Sequence, residues 1–439
     1  MTRRRTRWRG AVTAATVLAG AGVLANNGTL LLAAAIPLAY LLYGTVSAAS
    51  VPDGLTVTRR IEPRVAPPGR PVSVTVTLTN DTGRTLSDVR LVDGVPETLA
   101  VLDGSPRGGR TLRVGETLTL AYSLVARRGE YDFAPPKLRV RGVGAGTVAT
   151  TERVPDGDER LVCRLDADAP PLSDSGETRV GRLTTDTPGE GLTFHSTREY
   201  RHGDPAGRID WRGYAKHGEL ATVNYDRQVS ATVVFVLDAR KSARVSAGPG
   251  RPTAAELGAY ATTRAVNTLL QAGHNVAIGV AGLDGDGPAG LVWLPPGNGS
   301  QQRSRAIALL GDALDALDDS GGLTPSLVKQ CRRVADLVGR EAQFVLVSPV
   351  LDDAPAEAIE LWTSFDQPRT VLSPDVVASN TVSGQYERIR RRTRLARCQA
   401  GGARTIDWRR GTPLPTILEL TFAAEAKQAD PGVRAGGGG

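Results

Sequence analysis

Hydrophobic and polar positions change rhythm three times along this chain. Residues 11–25 form an unbroken run of Ala, Val, Thr, Leu and Gly. Asn26-Asn27-Gly28 interrupts it, and residues 29–49 continue with about 21 uncharged residues, including Leu30-Leu31-Leu32 and Leu41-Leu42. A helix needs roughly 20 apolar residues to cross a bilayer. The pattern therefore predicts a transmembrane helical hairpin over 1–50, with spans at about 11–25 and 29–49. A basic start followed by a short apolar run also suits a cleaved signal peptide, so the first segment has two readings; a second apolar run three residues later favours the hairpin. Arg3, Arg4, Arg5, Arg7 and Arg9 precede it, Arg59, Arg60 and Arg64 follow it, and the connecting loop is uncharged. That asymmetry predicts a cell-membrane protein with its soluble domains in the cytoplasm.

Over 54–145 the period becomes two. Val72, Val74, Val76 and Leu78 alternate with Ser73, Thr75, Thr77 and Thr79, and Leu118, Leu120, Tyr122 and Leu124 alternate with Thr117, Thr119, Ala121 and Ser123. Turn signals separate these runs at Pro67-Pro68-Gly69, Asp103-Gly104 and Arg128-Gly129. Short alternating strands at this spacing predict an immunoglobulin-like β-sandwich. No Cys…Trp…Cys framework accompanies it.

Residues 151–230 read as a turn-rich connector. From 231 to 425 apolar runs alternate with helical stretches: strands at 231–237, 276–281, 290–294, 344–347, 370–372 and 404–407, and helices at 254–271, 300–317, 325–338, 354–365, 383–398 and 414–423. Continuous apolar strands between helices predict a doubly wound, mainly parallel sheet. The Gly-rich end, 426–439, reads as a disordered tail.

Composition narrows the chemistry. The chain has 439 residues, enough for two or three domains, and its three Cys and four His leave no disulfide framework, CxxC site or His-rich centre. The net charge of +7 comes largely from two clusters, the first nine residues and Arg388–Arg397. No nucleic-acid-binding signature accompanies them, so no nucleic-acid partner is expected. No strand is followed by a Walker A or dinucleotide-binding glycine motif, and no small-molecule substrate is evident.

The densest mixture of charge and aromatic residues lies in the connector. It reads Gly189-Glu190-Gly191-Leu192-Thr193-Phe194, then Arg198-Glu199-Tyr200-Arg201-His202-Gly203-Asp204, then Arg208-Ile209-Asp210-Trp211. This stretch resembles the signature of domain-of-unknown-function family 58: G-x-G-x-x-F, R-x-Y-x-x-G-D and R-x-I-D-W. The one departure is that Arg208 directly precedes Ile209. The resemblance marks Arg198, Tyr200, Gly203, Asp204, Arg208, Asp210 and Trp211 as signature or interaction residues, which an ion-pair network fixing the connector would also explain. It implies a membrane-anchored scaffold or accessory protein acting through protein–protein interaction, with a MoxR-type AAA ATPase as partner, in assembly or activation of other complexes.

The strand ending at Asp238 also resembles a von Willebrand factor A-type domain, where D-x-S-x-S holds a divalent metal. Here the residues are Asp238-Ala239-Arg240-Lys241-Ser242. Asp238 and Ser242 match, but Arg240 replaces the middle Ser, and Ser348-Pro349 stands where a second Asp is often found. The resemblance therefore implies a degenerate site, with Mg²⁺ disfavoured and no cofactor expected. Two other functions compete with the scaffold: an outward-facing envelope or adhesion protein, and a hydrolase using Asp238, Ser242 and His274. The hydrolase lacks a nucleophile elbow, and no catalytic residue is assigned.

Overall fold

The computed structural model describes residues 5–6, 9–46, 51–142, 147–167, 188–201, 209–226, 231–319, 326–339, 341–365, 367–378, 381–409, 412 and 414. The chain divides into two compact units, Met1–Ala167 with Pro249–Pro252, and Asp168–Gly248 with Thr253–Gly439. The expected helix at 414–423, apart from Leu414, and the tail at 426–439 lie outside the described residues.

The first unit opens with a two-residue strand, β1 (Arg5–Thr6), and two helices, α1 (Arg9–Leu24) and α2 (Gly28–Val46). Asn26 turns between them with φ of 46°, and the Asn27 side chain accepts the Thr29 backbone N–H at 3.0 Å, capping α2. The hairpin exists, but the two spans are corrected. Among the described residues no helix is long and apolar enough to cross a membrane. α1, with its 16 residues, is about 24 Å long at 1.5 Å per residue, short of a hydrocarbon core of about 30 Å.

The alternating segments form strands β2 (Leu55–Glu62), β3 (Val65–Ala66), β4 (Val72–Asn80), β5 (Leu86–Gly94), β6 (Ala100–Gly104), β7 (Arg107–Leu112), β8 (Thr117–Val125), β9 (Gly129–Asp132), β10 (Ala134–Arg141), β11 (Thr147–Glu152), β12 (Asp156–Gly157) and β13 (Arg160–Cys163). Two five-stranded sheets result, ordered β1-β11-β10-β5-β7 and β12-β2-β4-β8-β6, with a small third sheet β3-β13-β9. Side chains of both large sheets share one core: Val57, Ile61, Val74, Val76 and Leu120 from one, Val89, Leu91, Leu138 and Val140 from the other. The strands continue past the expected end at 145, because β11 pairs with β10 and β13 pairs with both β3 and β9.

One inward position in this alternation is an arginine. Arg59 lies between Val57 and Ile61 on β2, and its guanidinium bonds Asp93 of the facing sheet at 2.5 and 3.1 Å. Both side chains are 0% exposed. Tyr122 donates to the other Asp93 oxygen at 2.5 Å, and Arg59 also donates to the Ala134 carbonyl at 2.7 Å. The Phe133 ring lies 5.2 Å from the guanidinium. Arg59, one of the basic residues following the apolar hairpin, is thus a buried tie between sheets.

The second unit begins with an antiparallel pair, β14 (Pro188–Glu199) and β15 (Ala221–Asp226), with α3 (Trp211–His217) between them. Its main sheet contains β16 (Thr232–Asp238), β17 (Asn275–Ala281), β18 (Val292–Gly297), β19 (Gln343–Val347), β20 (Arg369–Pro374) and β21 (Arg404–Trp408). The helices are α4 (Ala254–Gln271), α5 (Gly299–Asp319), α6 (Leu327–Leu337), α7 (Ala354–Thr363) and α8 (Val382–Ala400). The strand order is β18-β17-β16-β19-β20-β21. Neighbours are parallel except β18, which pairs antiparallel with β17. β18 carries Pro295 and Pro296, which an edge strand tolerates because it need not donate outward. Thr253 and Glu256 form a reciprocal capping box that starts α4.

Candidate functional site at the carboxyl end of the parallel sheet

β16 ends in Asp238, which the strand carries out of the core with its side chain still fully buried. The loop that follows brings Arg240 back onto it. Arg240 Nε reaches Asp238 Oδ1 at 2.9 Å, Nη2 reaches Oδ2 at 2.9 Å, and the Arg240 backbone N–H bonds Oδ1 at 3.2 Å. The same guanidinium forks onto Asp352, with Nη1 and Nη2 each 3.0 Å from one oxygen. Ser348, just past β19, donates its hydroxyl to Asp238 Oδ2 at 2.7 Å. Both Asp238 oxygens therefore accept two hydrogen bonds. Burial works against the Arg240 charge, but the hydrogen bonds and charges of Asp238 and Asp352 outweigh it and hold the guanidinium above its usual range.

Three loops build this cluster. Gly282, after β17, has φ of +98°, and a Cβ there would lie 2.5 Å from the Arg240 nitrogen. Only glycine lets the β16 and β17 loops approach this closely. Gln330 of α6 fixes the second loop by accepting from Gly282 N at 2.7 Å and donating to the Leu283 carbonyl at 3.0 Å. In the β19 loop, Val350 has φ of +55°, a conformation that a β-branched residue adopts only under constraint. The constraint comes from α8. Arg391 donates to the Pro349 carbonyl and Arg394 to the Leu351 carbonyl, while Arg394 also pairs with Asp353 at 2.8 Å. Arg391 further donates to Ser373 and forms an ion pair with Asp407.

A divalent metal does not fit here. Such an ion takes carboxylate and hydroxyl oxygens, and those of Asp238 are already engaged by a resident cation. Among the described residues no group of three His, Cys, Asp or Glu could hold a metal. Ser242 lies half-buried in a short 3₁₀ segment, Lys241–Ala243. His274 immediately precedes β17, at the amino end of the sheet, whereas Asp238 and Ala281 pair at its carboxyl end. Asp238, Ser242 and His274 are therefore not brought together. His274 is buried, and burial holds its pKa below the usual value.

Of the connector residues, Gly203, Asp204 and Arg208 lie outside the described residues, and Arg198 is described in its backbone alone. Tyr200 and Asp210 are half-buried. Their backbone N–H groups bond Leu220 and Ala221 carbonyls at 3.1 and 2.8 Å, locking the two ends of the signature to the start of β15. Trp211 is 57% exposed and stacks edge-on against Tyr214, which is also exposed. Sequence reasoning marked Ser348 only as the residue standing in place of a second Asp, and it missed Arg391 and Arg394. The signal for the arginines was present: with Leu395 and Cys398 they fall on one helical face, inside what read as a solvated basic run.

Residues 196–371 match the family described as "Protein of unknown function DUF58". No curated protein matches the chain. Solved structures that align with it include a non-cellulosomal cohesin from Archaeoglobus fulgidus (14% identity, 23% of this chain and 85% of that one, TM-score 0.16). Another is the cupredoxin domain of amoB from Nitrosocaldus yellowstonii (9%, 29% and 97%, 0.16). A third is a GH20 exo-β-N-acetylglucosaminidase from Vibrio harveyi (9%, 81% and 76%, 0.18). At these scores the three likenesses carry no argument about this chain.

Proposed function

With residues 196–371 belonging to the DUF58 family, we propose that the protein is a scaffold that docks a partner without a metal ion, at the carboxyl end of the α/β sheet. Arg240 carries this reading. A metal-dependent adhesion site leaves a cation one open coordination position for the partner. Here the cation is a side chain, and the loops around it are fixed by buried arginines instead of by a metal. The carboxyl end of an open α/β sheet is where such folds bind their ligands. Asp352 and Asp353 stand at the rim, with side chains 38% and 59% exposed.

On this reading the second unit is a von Willebrand factor A-like domain with a degenerate site, and the sandwich is an immunoglobulin-like spacer or docking module. The partner expected from the resemblance is a MoxR-type AAA ATPase. Co-expression of the full chain with such an ATPase, followed by affinity purification with and without chelator, tests the proposal. Co-purification should be equal in both conditions and should fall in Asp352→Lys and Asp353→Lys. Loss of the complex in chelator, or no complex at all, would overturn it.

A further inference from the structure

The outer face of the sheet β1-β11-β10-β5-β7 holds a cleft of about 720 Å³. Arg90, Arg107, Arg110, Lys137 and Arg139 line it, and Asp88 is the single acid among the lining residues. The strand register sets these charges side by side. Arg90 of β5 lies directly opposite Arg139 of β10, and Val92 lies between Arg107 of β7 and Lys137 of β10. Like charges directly opposite one another weaken a sheet. Nearby acids offset the charge in part: Asp88 bonds Arg90 at 3.2 Å, and Glu116 and Glu152 approach Arg110 and Lys137 at 3.5 and 3.9 Å. Among the described residues the guanidinium groups of Arg107 and Arg139 meet no carboxylate.

Edge protection does not account for this. Charged residues on an edge strand discourage pairing with another sheet, which would explain Arg107 and Arg110 on β7. Arg90, Lys137 and Arg139, however, lie on β5 and β10, inside the sheet. The floor is also shaped. A Cβ at Gly109, opposite Arg90, would lie 2.8 Å from Arg90 Cγ, so the missing side chain lets Arg90 lie across β7. No aromatic residue lines the cleft, so it has no surface on which nucleic-acid bases could stack. Guanidinium forks match phosphate oxygens.

We infer that this cleft binds a linear, phosphate-rich polyanion by its charge alone. The inference rests on the sandwich and not on Arg240, so the two proposals fail independently. The test uses the full chain and end-labelled inorganic polyphosphate, followed by fluorescence anisotropy. Binding should saturate and weaken with salt, as counterion release requires. The double variant Arg107→Ala, Arg139→Ala should lose about tenfold or more in affinity, because it removes the two unpaired guanidinium groups from the phosphate path. Arg60→Ala with Arg64→Ala removes the same charge from exposed positions outside the cleft and should change affinity less than about twofold. A thermal midpoint at or above the parent's should show that the cleft variant is folded, since it relieves repulsion. The inference is overturned if the two double variants lose affinity equally or polyphosphate does not bind. It is also overturned if a single-stranded oligonucleotide of equal charge, or a vesicle of anionic phospholipid, binds through the cleft arginines more tightly than polyphosphate.

Discussion

In the sandwich, Arg59 forks onto Asp93 while Tyr122 donates to the same carboxylate; in the α/β unit, Arg240 forks onto Asp238 while Ser348 donates to the same carboxylate. The donor sets are nearly alike, and the surroundings are not. Arg59 and Asp93 are both 0% exposed and join two sheets across an apolar core. Arg240 is 11% exposed and shares itself with Asp352, which is 38% exposed. The first cluster is sealed and holds sheets together. The second opens on a rim of loops, one of which keeps Val350 strained. A buried ion pair by itself therefore says little about function. What separates the two is whether one partner reaches solvent at a strand end where loops, and not strands alone, supply the ligands.

The largest expected effect tests the sealed side. Arg59→Ala leaves Asp93 buried without its cation, which should cost about 3–5 kcal/mol. Hydrogen exchange read peptide by peptide in the full chain should show early opening of β2 and β5 with the α/β unit unchanged. Replacing the pair together, with Arg59→Met and Asp93→Leu, should recover most of the loss. A single variant as stable as the parent would mean that water reaches Asp93.

Arg240→Ala should cost less, roughly 2–3 kcal/mol, because solvent can reach Asp352 and relieve part of the unpaired charge. It should also create what the parent lacks. With the guanidinium gone, Asp238, Asp352 and Ser348 offer oxygen ligands to a hard cation. Mg²⁺ should then bind the variant and raise its denaturation midpoint, while leaving the parent unmoved. Equal Mg²⁺ responses in the two proteins would erase the distinction between a side-chain cation and a metal.

The contrast explains what the sequence disclosed. Strand and helix positions of the sandwich and the parallel sheet followed from periodicity, whereas β14, α3 and β15 formed in what read as a turn-rich connector. The alternation of β2 even points Arg59 inward, between Val57 and Ile61. The partner does not follow, because Asp93 lies 34 residues away on another sheet. Asp238 was legible because a buried parallel strand must end at the ligand-binding edge. Arg391 and Arg394 were not, because their roles depend on how α8 lies against the β19 loop, and an arginine-rich helix reads first as a solvated one. The apolar hairpin was legible as two helices, but run length alone overstated their reach.

Removing the shared hydroxyl donor gives a finer comparison. Tyr122→Phe and Ser348→Ala each delete one bond to a charged acceptor, worth roughly 1.5 kcal/mol. Tyr122 should show the larger loss, since both Arg59 bonds fall on Asp93 Oδ1 and leave Oδ2 to Tyr122, whereas Asp238 Oδ2 keeps the bond from Arg240 Nη2. Burial, then the charge of Asp93 and its hydrogen bond, push the Tyr122 hydroxyl well above its usual pKa. It should therefore show no phenolate absorbance in alkaline titration of the native protein. Equal losses in the two variants would mean that Arg240 Nη2 does not compensate Asp238 Oδ2 for the missing hydroxyl.

The smallest effect belongs to the rim of the open cluster. The hydrogen bond from Arg394, then its charge, lowers the Asp353 pKa, while the Asp353 side chain remains 59% exposed. A carboxyl group whose native pKa is depressed binds its proton less readily than the same group in the unfolded chain. Its contribution to stability is therefore complete above the ordinary carboxylate value of about 3.9, and is lost as pH falls through the lower native value. Many carboxylates titrate in that window, so the absolute acid sensitivity of the protein is not informative. The difference between proteins is. In Asp353→Asn the fall in urea midpoint between pH 7 and pH 3 should be slightly smaller than in the parent, because one acid-sensitive contribution is already missing at pH 7. Asn keeps the side-chain shape at the start of α7; the charge it removes also favours the helix N-terminus, a contribution lost with acid in the same direction. Identical pH dependence in the two proteins would show that Arg394 does not hold Asp353 in solution, and that the β19 loop is fixed by the two backbone carbonyl contacts of α8 alone.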